Sequence, residues 1–134
     1  MDDKRLEILK EFLEKNISAI LLEDVTSKVF DDAIVLESNC NRDILTGHYD
    51  ENGNYKAPEW FYTLEENVNK GKPFLVIENI DYIPEEEQLK FLEIIKYKKI
   101  STFELPENTI TIVTCRNPKE KPIAEEIYTL LAHI

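Results

Sequence analysis

Lys72-Pro73-Phe74-Leu75-Val76-Ile77-Glu78-Asn79-Ile80-Asp81 is an unbroken apolar run that closes on polar residues. It is too short for a helix and is bounded by Gly71-Lys72-Pro73, so it predicts a strand buried on both faces. Strands of that kind sit inside parallel sheets, where ligands bind beyond the carboxyl ends. The run therefore places Glu78 and Asn79 at the edge where chemistry is expected.

Three further stretches read as strands: residues 17–23, residues 33–38, and the β-branched Thr109-Ile110-Thr111-Ile112-Val113-Thr114. Between them lie helical patterns. In residues 2–16, Leu6, Leu9, Phe12 and Leu13 share one face, and Asn16 supplies a stop. Residues 59–69 place Trp60, Phe61, Leu64 and Val68 together, and Gly71 follows. Pro84 and its three glutamates open a helix through Ile95, with the carboxylates at the positive end of the helix dipole. The stripe Ile123, Ile127, Leu130, Leu131 and Ile134 predicts a last helix from Pro122 onward. Alternation of strands and helices gives an α/β fold, with a mostly parallel sheet of about four strands and helices on both faces. One domain over residues 1–134 is expected, with residues 1–16 as an N-terminal amphipathic helix. Residues 39–58 are expected as a long polar loop, able to hold a small hairpin at Asn52-Gly53.

Charge narrows the function classes. The 134 residues carry 27 carboxylates against 16 Lys and Arg, a net charge of −11, which opposes a sequence-independent grip on nucleic acid and suits a basic partner. No apolar run approaches the ~20 residues that span a bilayer, and the opening Met1-Asp2-Asp3-Lys4-Arg5 lacks a signal core, so a cytoplasmic protein is expected. Cys40 and Cys115 form no CxxC pair, and His48 lies far in sequence from His133, which speaks against a metal cluster.

Two strand ends carry a resemblance. The stretch from Phe74 to Asp81 resembles a Walker B strand, with Gln88 and Leu89 following at suitable spacing. Ile112-Val113-Thr114-Cys115-Arg116-Asn117-Pro118 resembles a sensor 1 strand. The connector ending Leu105-Pro106-Glu107-Asn108, and the segment Arg42-Asp43-Ile44-Leu45-Thr46-Gly47-His48-Tyr49-Asp50 with Trp60, are similar to those of AAA+ ATPases of the MoxR, McrB and midasin group. The resemblance covers about residues 17–134. It implies a P-loop NTPase-like three-layer α/β/α sandwich with strand order 1-4-3-2, and a site for ATP and Mg. Lys28 and Asn117 would then touch nucleotide, Glu78 would hold the metal, and Asn79 would occupy the water-activating position.

Against that pattern the residues depart in a consistent direction. The phosphate-loop position reads Leu21-Leu22-Glu23-Asp24-Val25-Thr26-Ser27-Lys28-Val29, with no glycine, with Val29 in place of a hydroxyl residue, and with two carboxylates where a triphosphate would sit. Asn79 replaces the family's glutamate, and an amide cannot take a proton from water. Asp81 is either a substitute base or a turn and capping residue before Pro84. The arginines are Arg5, Arg42 and Arg116, none following the sensor as a trans-acting arginine would. The family's last core strand and helical lid would lie beyond Ile134, which would leave the edge of the first strand open.

These departures predict no catalytic residue and a non-hydrolysing, pseudo-ATPase-like domain that acts as a protein-interaction or regulatory module. By the resemblance, its partner is a subunit of an AAA+ ring or a second copy of itself. Alternatives are a nucleotide-binding switch without efficient turnover, with at most weak Mg-dependent ATPase activity, and an acidic decoy of a basic, nucleic-acid-binding protein. An acid/base cluster in Gly47-His48-Tyr49-Asp50 is a more remote reading.

Overall fold

The computed structural model describes residues 2–134. Along the chain the strands are β1 (Ala19–Glu23), β2 (Ile34–Glu37), β3 (His48–Tyr49), β4 (Tyr55–Lys56), β5 (Phe74–Glu78), β6 (Lys99–Ile100), β7 (Phe103–Glu104), β8 (Ile110–Cys115) and β9 (Ala132–His133). The helices are α1 (Asp3–Glu14), α2 (Arg42–Leu45), α3 (Glu59–Asn69), α4 (Glu85–Gln88), α5 (Leu92–Tyr97) and α6 (Glu125–Tyr128). Five strands form one parallel sheet in the order β2-β5-β8-β1-β9. The four strands read from the sequence thus stand in the expected 1-4-3-2 order, with β9 added beside β1.

Strand alternation divides the core into two layers. Leu21, Leu75, Ile77 and Val113 point to the larger one, where they meet Trp60, Phe61 and Leu64 of α3, Ile94 and Ile95 of α5, and Ile127 of α6. Ile20, Leu22, Val76 and Ile112 point the other way, onto Leu9, Phe12 and Leu13 of α1. With both faces covered, the central run Leu75-Val76-Ile77 has no exposed surface, which is why it reads as continuous rather than alternating apolar sequence. α1 begins at Asp2, whose carboxylate accepts from the Arg5 N–H, and ends against Asn16 in the left-handed region at φ 60°.

Two helical expectations are corrected. The helix opened by Pro84 is interrupted by a 3-10 turn at Leu89–Phe91. Gln88 and Phe91 are both fully buried, and a segment with three residues per turn keeps residues at i and i+3 on one side. The helix expected through residues 122–134 is only Glu125–Tyr128, and the chain then extends into β9. Ile127 packs in the larger layer and Ile134 in the α1 layer. A continuous helix would return residues seven apart to nearly the same face, so these two side chains can be buried on opposite faces only if the helix stops. The expected open edge of β1 is therefore closed: Ala132 and His133 pair with Ile20 and Leu21, and the Ile134 N–H donates to the Leu21 carbonyl at 3.1 Å.

The polar loop does hold a hairpin, β3 with β4, turned at Gly53 (φ 80°) and fastened by Asp50 Oδ1, which accepts from the Asn52 and Asn54 N–H groups. Gly47 precedes it at a place where a Cβ would lie 2.0 Å from the Lys56 carbonyl oxygen, so no larger residue fits there. Tyr55 stacks on Phe103 of the β6/β7 ribbon, and the Trp60 indole N–H donates to the Ile44 carbonyl, so both halves of the loop are packed against the body. No helix among the described residues is long and apolar enough to cross a membrane.

Candidate functional site

The carboxyl ends of β1, β8 and β5 lie side by side, and the register sets Glu78 level with Thr114 and Thr114 opposite Leu22. Glu78, Asn79 and Asn117 belong to this edge, on or just after β5 and β8, whereas Lys28 lies partway along the segment that leaves β1 and returns to the start of β2. β8 lies between β1 and β5, so about 10 Å separates the strand ends that carry the loop of Lys28 and the carboxylate of Glu78.

At the β5 and β8 ends the bonds are made by two buried side chains, Asp81 and Thr114. Asn79 takes the left-handed conformation (φ 58°, ψ 51°), which asparagine tolerates better than most residues, and its N–H donates to Thr114 Oγ1 at 2.9 Å. The chain turns through a 3-10 segment, Ile80–Tyr82, that carries Asp81 inward. Asp81 is 3% exposed. Its carboxylate accepts from the Arg116 N–H at 3.1 and 3.0 Å and from the Asn117 N–H at 2.7 Å. Asp81 is thus neither a cap of α4, whose N-cap Pro84 lacks a side-chain bond, nor a base facing solvent. It fastens the backbone of the sensor-like segment to the end of β5. The Asn117 carbonyl in turn accepts from the Glu120 and Lys121 N–H groups, which sets the turn that follows.

The β1 end is built differently. Asp24 is also left-handed (φ 54°), and its N–H donates to the Cys115 carbonyl at 2.7 Å. Its exposed carboxylate pairs with the Arg116 guanidinium at 3.1 Å. Arg5 reaches across from α1 and donates to the Glu23 carbonyl. Between β1 and β2 there is one 3-10 turn, Ser27–Val29, and the Val29 N–H is taken up by the Thr26 carbonyl. Val25 and Phe30 on either side of that turn are buried in the α1 layer, where Phe30 lies 4.7 Å from the Phe74 ring. Lys28 is exposed.

Burial pushes the Cys115 thiol up to about 12, with the Asp81 and Glu23 carboxylates adding to the effect, and burial also raises the Cys40 thiol. Neither cysteine is therefore a thiolate at neutral pH. No group of three or more His, Cys, Asp or Glu among the described residues could hold a metal ion.

No family model matches the sequence, and comparison with curated proteins finds no match. Solved structures do match. One is a candidate ATPase from Cytophaga hutchinsonii, with TM-score 0.62 and 17% identity over 98% of this chain. Another is NtrX from Brucella abortus, with TM-score 0.54 and 14% identity over 95% of this chain. The chain has an AAA+-like ATPase fold. It spans 46% of the first of those proteins and 34% of the second.

Several residues of this AAA+-like edge were not singled out by sequence reasoning. Thr114 offered no signal beyond its β-branched character. Asp24 was noted only as a carboxylate at the phosphate-loop position and Arg5 only as one of three arginines; their partners, 92 and 18 residues away, carried no sequence signal. Gln88, noted only for its spacing, is fully buried: its amide donates to the Ile83 and Pro122 carbonyls and accepts from the Ala124 N–H at 2.7 Å. A polar residue inside an otherwise apolar helical stripe was the available signal.

Proposed function

We propose that this AAA+-like domain does not hydrolyse ATP and acts as a regulatory module by binding a protein partner. The observation that carries the reading is the turn after β1. A phosphate cradle needs several free backbone N–H groups converging on one point, and a helix behind them whose dipole favours anions. Here the Asp24 and Val29 N–H groups are bonded within the protein, and the segment contains three residues of 3-10 helix. Val25 and Phe30 hold the turn down into the core, and the Asp24 carboxylate at its start is paired with Arg116. A bound triphosphate would meet the Glu23 and Asp24 carboxylates.

The rest of the edge supports the same reading. Phosphoryl transfer depends almost entirely on positioning and charge stabilisation, and Asn79 has no proton-accepting group to activate water. Glu78 retains a carboxylate of the kind that holds Mg²⁺ through water, but these residues do not fit a Mg-triphosphate, so no catalytic step is assigned to them. A fold of this type without turnover leaves its surface for recognition; by the resemblance, a subunit of an AAA+ ring is the first partner to test. Isothermal titration of the domain with MgATP, combined with a phosphate-release assay, tests the reading: no heat of binding and no release are expected, and micromolar binding with steady release would overturn it.

A further inference from the structure

The edge of the sheet at β2 is open. β2 pairs with β5 on one side, and among the described residues no strand pairs with its other side. The Ser38 N–H donates to the Glu78 carbonyl, so alternation turns the Leu36 and Ile34 backbone toward β5 and the Val35 N–H and C=O, with the Glu37 N–H, away from the sheet. Sheet edges of this sort template pairing with another strand unless charge, proline or a covering segment blocks them. β2 contains no proline and no lysine.

A groove of about 670 Å³ runs along this edge, between β2 and the start of α3. Its apolar surface on the α3 side includes Ile34, Ile44 and Trp60, of which Ile44 is 54% exposed, while the Val35 side chain, 39% exposed, turns to the opposite face. Its polar rim is acidic: Asp43 and Glu59 line it, and Glu37 follows at the strand end. Among its lining residues only His48 can become cationic.

We propose that this groove takes an extended segment of a partner protein, in which apolar residues alternate with lysine or arginine, as an added strand against β2. Backbone pairing with Val35 and Glu37 would give affinity, the Ile44 and Trp60 surface on the α3 side would take the apolar side chains, and Glu37, whose side chain shares the opposite face with Val35, together with the Asp43 and Glu59 rim would select the basic ones. Charge also excludes the simplest competitor. Two copies joined antiparallel through β2 would bring Asp31 and Asp32 of each copy toward Glu37 of the other, setting like charges in opposition. The inference rests on the reading of the domain as a protein-binding module and adds to it the surface and the chemistry of the partner.

The test uses two blocked peptides, one of alternating lysine and valine and one of alternating glutamate and valine. Trp60 is the chain's single tryptophan and lines the groove, so its fluorescence reports occupancy directly, while amide NMR shifts report the location. The lysine peptide is expected to bind saturably, moving the Trp60 emission and the amides of residues 33–37, and the glutamate peptide is expected not to bind. Val35→Pro removes an outward N–H at an edge position where proline is tolerated, and should weaken binding about tenfold or more. If that variant fails to fold, the double change Glu37→Lys with Glu59→Lys, both on exposed side chains, should reverse the preference toward the glutamate peptide. Absence of saturable binding, shifts located away from β2, equal binding of both peptides, or a self-association in sedimentation that Val35→Pro abolishes would each overturn the proposal. A parallel MgATP turnover assay separates the two levels: peptide failure with no turnover removes this inference alone, whereas turnover removes the reading beneath it.

Discussion

Two neighbouring strand ends on the same edge are held by opposite means. β5 and β8 are joined beyond their last paired residues by the buried Asp81 carboxylate and by Thr114, whereas the turn after β1 is held by an exposed ion pair and by two apolar anchors, Val25 and Phe30. The difference separates what holds the sheet together from what would hold a ligand. The bonds of these buried side chains tie β5 to β8 whatever the domain binds. The charged side chains at the β1 end can change with little effect on stability, so the fold can persist there without the function.

The largest effect should come from breaking the buried side of this contrast. Asp81→Ala leaves the Arg116 and Asn117 N–H groups without their acceptor, and should cost about 4 kcal/mol in urea unfolding, with Asp81→Asn intermediate. A loss no larger than that of a surface change would mean that the two strand ends are not held differently after all. Gln88→Leu should follow at about 2–3 kcal/mol, because three backbone groups of the segments flanking α4 and α6 lose a partner inside the core. On the exposed side, Asp24→Asn, which keeps a residue suited to the left-handed φ of 54°, or Arg116→Ala should change stability by less than about 1 kcal/mol, and that small effect should shrink further as salt is raised.

Titration sharpens the same contrast. The Cys115 thiol, raised to about 12, keeps its proton in the folded protein when the unfolded chain, near the ordinary value of 9.0, has already lost it. Its contribution to stability is therefore complete below pH 9 and falls as pH rises from 9 toward 12, and Cys115→Ala should remove that part of the alkaline decline. Thiol reagents at pH 8 should label it only as the protein unfolds. The smallest effect belongs to a surface pair: the Lys72 ammonium lowers the Asp32 carboxyl below 3.8, so its small stabilisation is present above that value and lost as pH falls through the lowered one. Lys72→Met should return the Asp32 titration, followed by NMR, to the ordinary range.

The sheet was legible because burial on two faces leaves a long apolar signature, as in the stretch from Phe74 to Ile77, and because the residues of α3 repeat at helical spacing. The C-terminus was not. Ile127 and Ile134 fit a helical stripe equally well as one face or as two residues on opposite sides of a sheet, and only the unfilled edge of β1 decides between them. At the edge itself, the strand ends at Glu78 and Cys115 were readable from the apolar runs that precede them. The partners of Asp81 were not, since they lie 35 and 36 residues away and local sequence offers a nearer role as a cap.

The central claim is that this AAA+-like domain keeps the fold without the turnover. Phosphate release measured with MgATP on the intact chain, alongside calorimetric titration, addresses it most directly. Neither release above the buffer rate nor a binding heat is predicted, while saturable binding followed by steady release would contradict the account.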